Sequence, residues 1–296
     1  MAGAFMVALG AVCFASKGIF AKHLYALDIT ADVLVTWRAF LALPLFWAWG
    51  LYRARNALFE VPRGALLAAT SAGILCYCFG SMMDFYALTL IDVSVERVLL
   101  FSYPAIVVLF TSMLRRQPPS RAVMLAVLLT YAGILLVVSG LDAGVLRANA
   151  RGALLVLACA VTYAVYFMIS ERYTRTIGSV AFTVYSMTGA SVALIAWYFS
   201  RHPLELPALA PATWPDMAAL VIVGTVAGVF VTAEGVRRIG AQRSAIVSTT
   251  GPPAAALMGW LFLGETMHAP QWIGMALIVG GILVLDLTRR PPPPPQ

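Results

Sequence analysis

The chain has 296 residues, of which 61% are hydrophobic and only 11% charged, with a formal net charge of +7. A soluble domain carries roughly 25% charged residues, so the composition excludes one. The positive balance invites a nucleic-acid partner, but the basic residues sit in short connections between long apolar runs, which points to a lipid bilayer instead and to no nucleic acid.

Ten such runs are long enough, or nearly so, to cross the hydrocarbon core as helices. They are read at 3–20, 32–51, 64–88, 95–114, 122–139, 152–173, 180–199, 217–236, 244–263 and 272–287. The first carries Lys17, with no basic segment before it and no small-residue cleavage pattern after it, so it reads as a retained helix rather than a signal peptide. The second carries Arg38. In the third, Tyr77, Gly80 and Ser81 share one face at i, i+3 and i+4, and Asp84 continues it. The fourth opens on Glu96-Arg97 and has Ser102-Tyr103-Pro104 at its middle. The sixth has Thr162, Tyr163 and Tyr166. A proline-rich polar connection at 200–216 leads to the eighth, where Glu234 lies just before Arg237 and Arg238. The ninth contains Ser248-Thr249-Thr250-Gly251-Pro252-Pro253, and the chain closes on a disordered proline tail at 291–296.

The runs repeat. Ile91 laid on Ile239 brings Pro104 onto Pro252 and Gly133-Ile134-Leu135 onto Gly281-Ile282-Leu283; with a one-residue shift, Gly3-Ala4 and Val7 fall on Gly152-Ala153 and Val156. Two five-helix units are therefore expected, 1–142 and 143–290. Five is odd, so the second unit crosses the membrane in the opposite sense, giving an all-α integral membrane protein of ten transmembrane helices in two inverted-topology repeats. The charges agree. With the N-terminus inside, the inner connections hold thirteen basic residues (Arg53, Arg55, Arg63, Arg115, Arg116, Arg121, Arg172, Arg175, Arg237, Arg238, Arg243, Arg289 and Arg290), and the outer ones hold four (Lys22, Arg147, Arg151 and Arg201). Both termini are thus expected in the cytoplasm.

No zinc, magnesium or nucleophile constellation and no phosphate loop is present in the sequence, which favours a carrier over an enzyme, with no cofactor and no metal. Cys13, Cys76, Cys78 and Cys159 fall within runs and read as structural thiols. In inverted-repeat carriers the substrate sits near the midplane, between the halves. Depth counting places Tyr77, Ser81, Tyr103, Thr162, Tyr163, Tyr166, Ser248 and Thr249 there, a set suited to an apolar body with a few polar groups. Pro104, Pro252 and Pro253 are expected to kink symmetry-related helices. Lys17, Arg38, Asp84, Glu96 and Arg97 count to the outer third and form a candidate gate network; Asp84, Glu96 and Glu234 are candidates for proton coupling.

The stretch from Gly251 to Thr266, with Gln271-Trp272-Ile273-Gly274, Gly280-Gly281-Ile282-Leu283, Trp37-Arg38-Ala39-Phe40 and Tyr86-Ala87-Leu88, resembles the signature of the drug/metabolite transporter superfamily, and more narrowly the EamA-type ten-helix exporters. The pattern is similar to the bacterial inner-membrane exporters of aromatic and other neutral amino acids, which implies a bacterial inner membrane as the chain's location. That resemblance implies a basket in which helices 1–4 and 6–9 surround a central cavity while helices 5 and 10 stand to one side. Two positions depart from the pattern: Gln117 stands where the second half has Glu265, and Glu96-Arg97 replace small apolar residues. The function expected is outward transport of neutral or aromatic amino acids by a monomer. A multidrug, sugar or nucleotide-sugar carrier of the same fold is the near alternative; a membrane-embedded enzyme or structural subunit is the distant one.

Overall fold

A computed structural model of the chain describes residues 2–87, 90, 99–137, 150–202, 206–263 and 269–287. Among these, the structure is helical without strands. Ten helices follow one another: α1 (Ala2–Ala26), α2 (Ala31–Phe59), α3 (Arg63–Gly73, Ile74–Gly80 and Ser81–Ala87), α4 (Tyr103–Arg115), α5 (Arg121–Val137), α6 (Ala150–Ile177), α7 (Ser179–Phe199), α8 (Trp214–Val221, Ile222–Ala227 and Gly228–Ile239), α9 (Ala241–Val247, Ser248–Thr250 and Gly251–Leu263) and α10 (Ala269–Leu287). Each coincides with one of the ten apolar runs. Six are long and apolar enough to span a bilayer. The helices outrun the apolar stretches where charge begins, because water satisfies side chains there without ending the backbone ladder. Thus α2 continues through Arg53 and Arg55 to Phe59, with one non-helical residue at Ala54 (φ −147°, ψ 38°). Glu96, Arg97 and the tail 291–296 lie outside the described residues.

Two helices widen midway. The central turns of α3 (Ile74–Gly80) and α8 (Ile222–Ala227) are π-helical, and Ile74 falls on Ile222 in the register that lays Ile91 on Ile239. A π turn leaves a carbonyl short of its usual partner. In α8 the Thr225 hydroxyl fills that role by donating to Leu220 O, five residues back, at 2.9 Å. In α9 the break is at Ser248–Thr250, a 3₁₀ turn immediately before Pro252 and Pro253. Proline lacks an N–H and clashes with the carbonyl four residues earlier. The hydroxyls of Ser248, Thr249 and Thr250 donate to Ala245 O, Ile246 O and Val247 O at 2.7, 2.6 and 3.1 Å, stapling the broken turn to the helix before it. Pro104 also follows a break: Leu99 and Leu100 are helical, Phe101 and Ser102 form a turn, and α4 begins at Tyr103, with Pro104 in its first turn.

The halves interpenetrate. Helix α1 packs chiefly on α8 and α9, and its counterpart α6 packs on α3 and α4. Helices α5 and α10 pack mainly on each other. Their seam is self-complementary: a Cβ on Gly133 would lie 2.5 Å from Gly274 O, and one on Gly281 would lie 2.9 Å from Ala126 O. Gly281 is the register mate of Gly133, and Gly274 that of Ala126. The later residue of each helix meets the earlier residue of the other, so α5 and α10 run antiparallel. The paired seams elsewhere are unequal. Helix α7 lies against α3 at backbone contact, where Gly73 abuts Ser186 and Gly189 abuts Thr70. The matching seam, α2 against α8, is much looser.

Candidate functional site

The widened turn of α3 presents Tyr77 toward α6, where Tyr163 and Tyr166 are one turn apart. Ring centroids of Tyr77 and Tyr166 are 5.1 Å apart, edge to face, and those of Tyr77 and Tyr163 are 6.4 Å apart. Tyr103, at the start of α4, continues the stack, with centroids 5.8 Å from Tyr163 and 5.6 Å from Phe167. Such pairs are worth about 0.5–1.5 kcal/mol each beyond the area they bury, so the cluster is stiff. Tyr103 Oη also bonds Ser248 Oγ across the halves. Since the Ser248 hydroxyl donates to Ala245 O, Tyr103 is the donor. This single polar link joins the α4 start to the broken turn of α9. Tyr103→Phe removes it without changing shape, and a net loss of about 1 kcal/mol follows. The check is thermal unfolding in detergent; an unchanged melting temperature would show that the link contributes nothing.

Beside the cluster lies a cavity of about 90 Å³, bounded by Tyr77, Tyr103, Tyr163 and Ser248, with Phe14 and Lys17 of α1 and with Phe101, Gly251 and Pro252. A second space of about 20 Å³ adjoins it, sharing Phe14, Lys17 and Tyr77 and reaching Arg38 in the loose α2–α8 seam. Thr225, the register mate of Tyr77, lines this second space. The Lys17 ammonium lies 4.6 Å from the Phe14 ring centroid, a cation–π distance. Its stem passes over Gly224, where a Cβ would come within 2.7 Å of Lys17 Cγ.

Of the residues singled out from the sequence, Tyr77, Tyr103, Tyr163 and Ser248 meet at the larger cavity. Tyr166 is buried behind Tyr77. Thr162 and Thr249 are buried and donate to carbonyls of their own helices, Cys159 O at 2.7 Å and Ile246 O at 2.6 Å; neither lines the cavities, and nor does buried Ser81. Lys17 and Arg38 stand at the cavity wall; the other gate candidates Glu96 and Arg97 lie outside the described residues. Asp84 has one carboxylate oxygen buried without a hydrogen-bond partner among the described residues. Glu234 is away from the cavity. It accepts bonds from Ser179 Oγ (2.6 Å), Arg237 (2.7 and 2.6 Å) and Arg238 (2.6 Å), fastening α8 to the start of α7. At that same end, Glu171 accepts from the Ala241 N–H at 3.1 Å, fastening α6 to α9. The opposite end carries two histidine–carboxylate pairs, His23–Asp216 at 3.5 Å and His202–Asp32 at 3.2 Å. Phe14 and Phe101 line the site without having been legible as site residues, because an isolated phenylalanine in an apolar run carries no signal.

Comparison with known proteins agrees with this architecture. The profile of the EamA-like transporter family matches the chain twice, over residues 1–139 and 150–286. The uncharacterized transporter YcbK of Bacillus subtilis (strain 168) is 33% identical over 284 residues, covering 92% of this chain and 89% of that protein. The uncharacterized inner membrane transporter YicL of Salmonella typhimurium is 26% identical, covering 65% and 64%. A protein of solved crystal structure superposes with a TM-score of 0.79 at 21% identity over 96% of both chains, a likeness of fold.

Proposed function

Because the chain belongs to the EamA-like transporter family, we propose that this multi-pass membrane transporter exports small amphipathic metabolites, aromatic and other neutral amino acids above all, by alternating access through the central cavity. The observation that carries the reading is the lining of that cavity. Phe14, Tyr77, Phe101, Tyr103 and Tyr163 are five of its twelve lining residues; tyrosine hydroxyls, Ser248 and Lys17 supply polar groups, and Arg38 lines the adjoining space. An apolar side chain with a polar head fits such a wall; a sugar, which needs hydrogen bonds on every face, does not.

Two features support alternating access. The cavity is smaller than the roughly 300–1,000 Å³ of an open small-molecule site, so admission requires its walls to part. The sealed α3–α7 seam and the loose α2–α8 seam are register mates in unlike states, and exchange of those states between the halves is the motion inverted repeats permit. In this reading, residues 1–142 and 143–290 are the two oppositely oriented units, which the antiparallel α5–α10 seam supports. The termini lie in the cytoplasm and the carrier sits in the inner membrane, as the distribution of arginines favours. One chain supplies both halves of the pathway, so the monomer is the working unit and no catalysis is involved.

Proteoliposomes loaded with labelled phenylalanine are expected to release it faster than protein-free vesicles, with tryptophan and leucine competing. Their response to an imposed pH gradient reports coupling. Folded protein that moves no amino acid, yet moves a drug or sugar from a panel, would overturn the substrate assignment.

A further inference from the structure

Arg38 is the most informative side chain that the reading above leaves without a specific role. It lies in the first third of α2, in the interior of the bundle, with only 8% of its surface exposed. Among the described residues it makes no hydrogen bond and no ion pair within 4 Å. Its electrostatic neighbours are the hydroxyls of Tyr163, Tyr77 and Tyr25, and the carboxyl of Asp84. A buried guanidinium without a partner is costly, and membrane interiors retain such charges where they serve a pathway. This one borders the space that Tyr77, Phe14 and Lys17 share with the larger cavity. The charged side chains lining the two spaces, among the described residues, are Arg38 and Lys17, both cations; no carboxylate lines either.

We propose that Arg38 is the seat of the substrate's carboxylate, and that the carrier reads an aromatic or apolar carboxylate without reading an ammonium group. The planar guanidinium offers a fork matched to a carboxylate, while the rings of Phe14, Tyr77 and Tyr163 take the apolar body. A zwitterionic amino acid is accepted through its acid end only. Its ammonium meets no carboxylate among the described lining residues, so an aromatic hydroxy acid is expected to serve as well. The proposal rests on the transporter reading and narrows it from amphipathic metabolites to those bearing a carboxylate.

The test is competition against labelled phenylalanine efflux from proteoliposomes by three compounds of one shape: unlabelled phenylalanine, 3-phenyllactate and phenylalaninamide. Phenyllactate is expected to compete at least as well as phenylalanine, and the amide at least tenfold less well. An amide that competes as well as phenylalanine would overturn the carboxylate seat while leaving the transporter reading intact. Absence of phenylalanine efflux would overturn that reading. The seat is then judged alone by thermal unfolding of the purified protein: phenyllactate but not the amide raises the melting temperature if the seat exists, and equal shifts or none count against it. Arg38→Gln is expected to erase the preference for acid over amide, and Arg38→Lys to keep part of it. Should the glutamine variant fail to fold, the compound series on the unaltered protein still decides.

Discussion

Gly73→Ala is expected to abolish transport and to lower the melting temperature of the purified protein by several degrees. The added Cβ would overlap the main chain of Ser186, where α3 and α7 touch backbone to backbone. A flexible side chain could swing away from an extra methyl group, but a carbonyl within a packed helix cannot. Overpacking of this kind costs about 1–3 kcal/mol, and more where backbone must move. The neighbouring contact, Gly189 against Thr70, is also close to main chain, with a built Cβ 2.9 Å from Thr70 O, so the seam has no slack on either side. Gly64→Ala is the control, since nothing lies within 4 Å of a Cβ there; it should melt and transport as the unaltered protein does. A Gly73→Ala protein with unaltered flux and melting temperature would refute the sealed seam.

Glu234→Gln is expected to destabilise the protein while leaving its response to a pH gradient unchanged. The carboxylate takes four hydrogen bonds from Ser179, Arg237 and Arg238, three of them from guanidinium groups. An amide keeps the shape but offers one acceptor oxygen and turns two N–H donors toward arginines. Bonds to charged groups are worth about 1.5–3 kcal/mol each when buried. The arginine side chains here are 41% exposed, which reduces that figure, so a loss of about 1–3 kcal/mol in all is expected. A coupling carboxylate must exchange protons with a pathway; one encased by arginines fastens two helices instead. The distinguishing measurement is efflux with and without a gradient. If the glutamine variant transports but no longer responds to the gradient, Glu234 carries the proton and the fastening role is secondary.

Much of the fold was legible because lipid imposes it. Every span must satisfy its own backbone, so apolar run length gave ten helices, and the register of Pro104 with Pro252 and Gly133 with Gly281 gave the repeat. Local chemistry at Pro252 and Pro253 was legible for the same reason: a missing N–H has a fixed consequence. Pro104 follows a comparable break, the turn at 101–102 between helical Leu99–Leu100 and α4. In the cavity, counting along helices gives depth but not which way a side chain faces. Tyr77, Tyr103 and Tyr163 converge because their faces happen to match their depth. Lys17 and Arg38 were placed at a plausible height, but their direction, toward the cavity, depends on how α1 and α2 are rotated against α8. Thr162 and Thr249 were at the right depth and turn their hydroxyls back on their own helices, the usual habit of threonine in apolar surroundings. The π turns were invisible, since beyond the shared Ile74 and Ile222 their sequences, Ile74–Gly80 and Ile222–Ala227, carry no common signal.

The seam between α5 and α10 has a consequence for how this chain can vary. Because Gly133 meets Gly274 while Gly281 meets Ala126, four positions in distant parts of the sequence form two copies of one contact. A larger residue at 133 meets the main-chain carbonyl of Gly274, and one at 281 meets that of Ala126, so no change of side chain at 274 or 126 makes room for either. The two halves are free to diverge along their cavity faces, where unlike residues such as Tyr77 and Thr225 make one site. Along this seam each half constrains the spelling of the other, and positions 133 and 281 are expected to keep glycine.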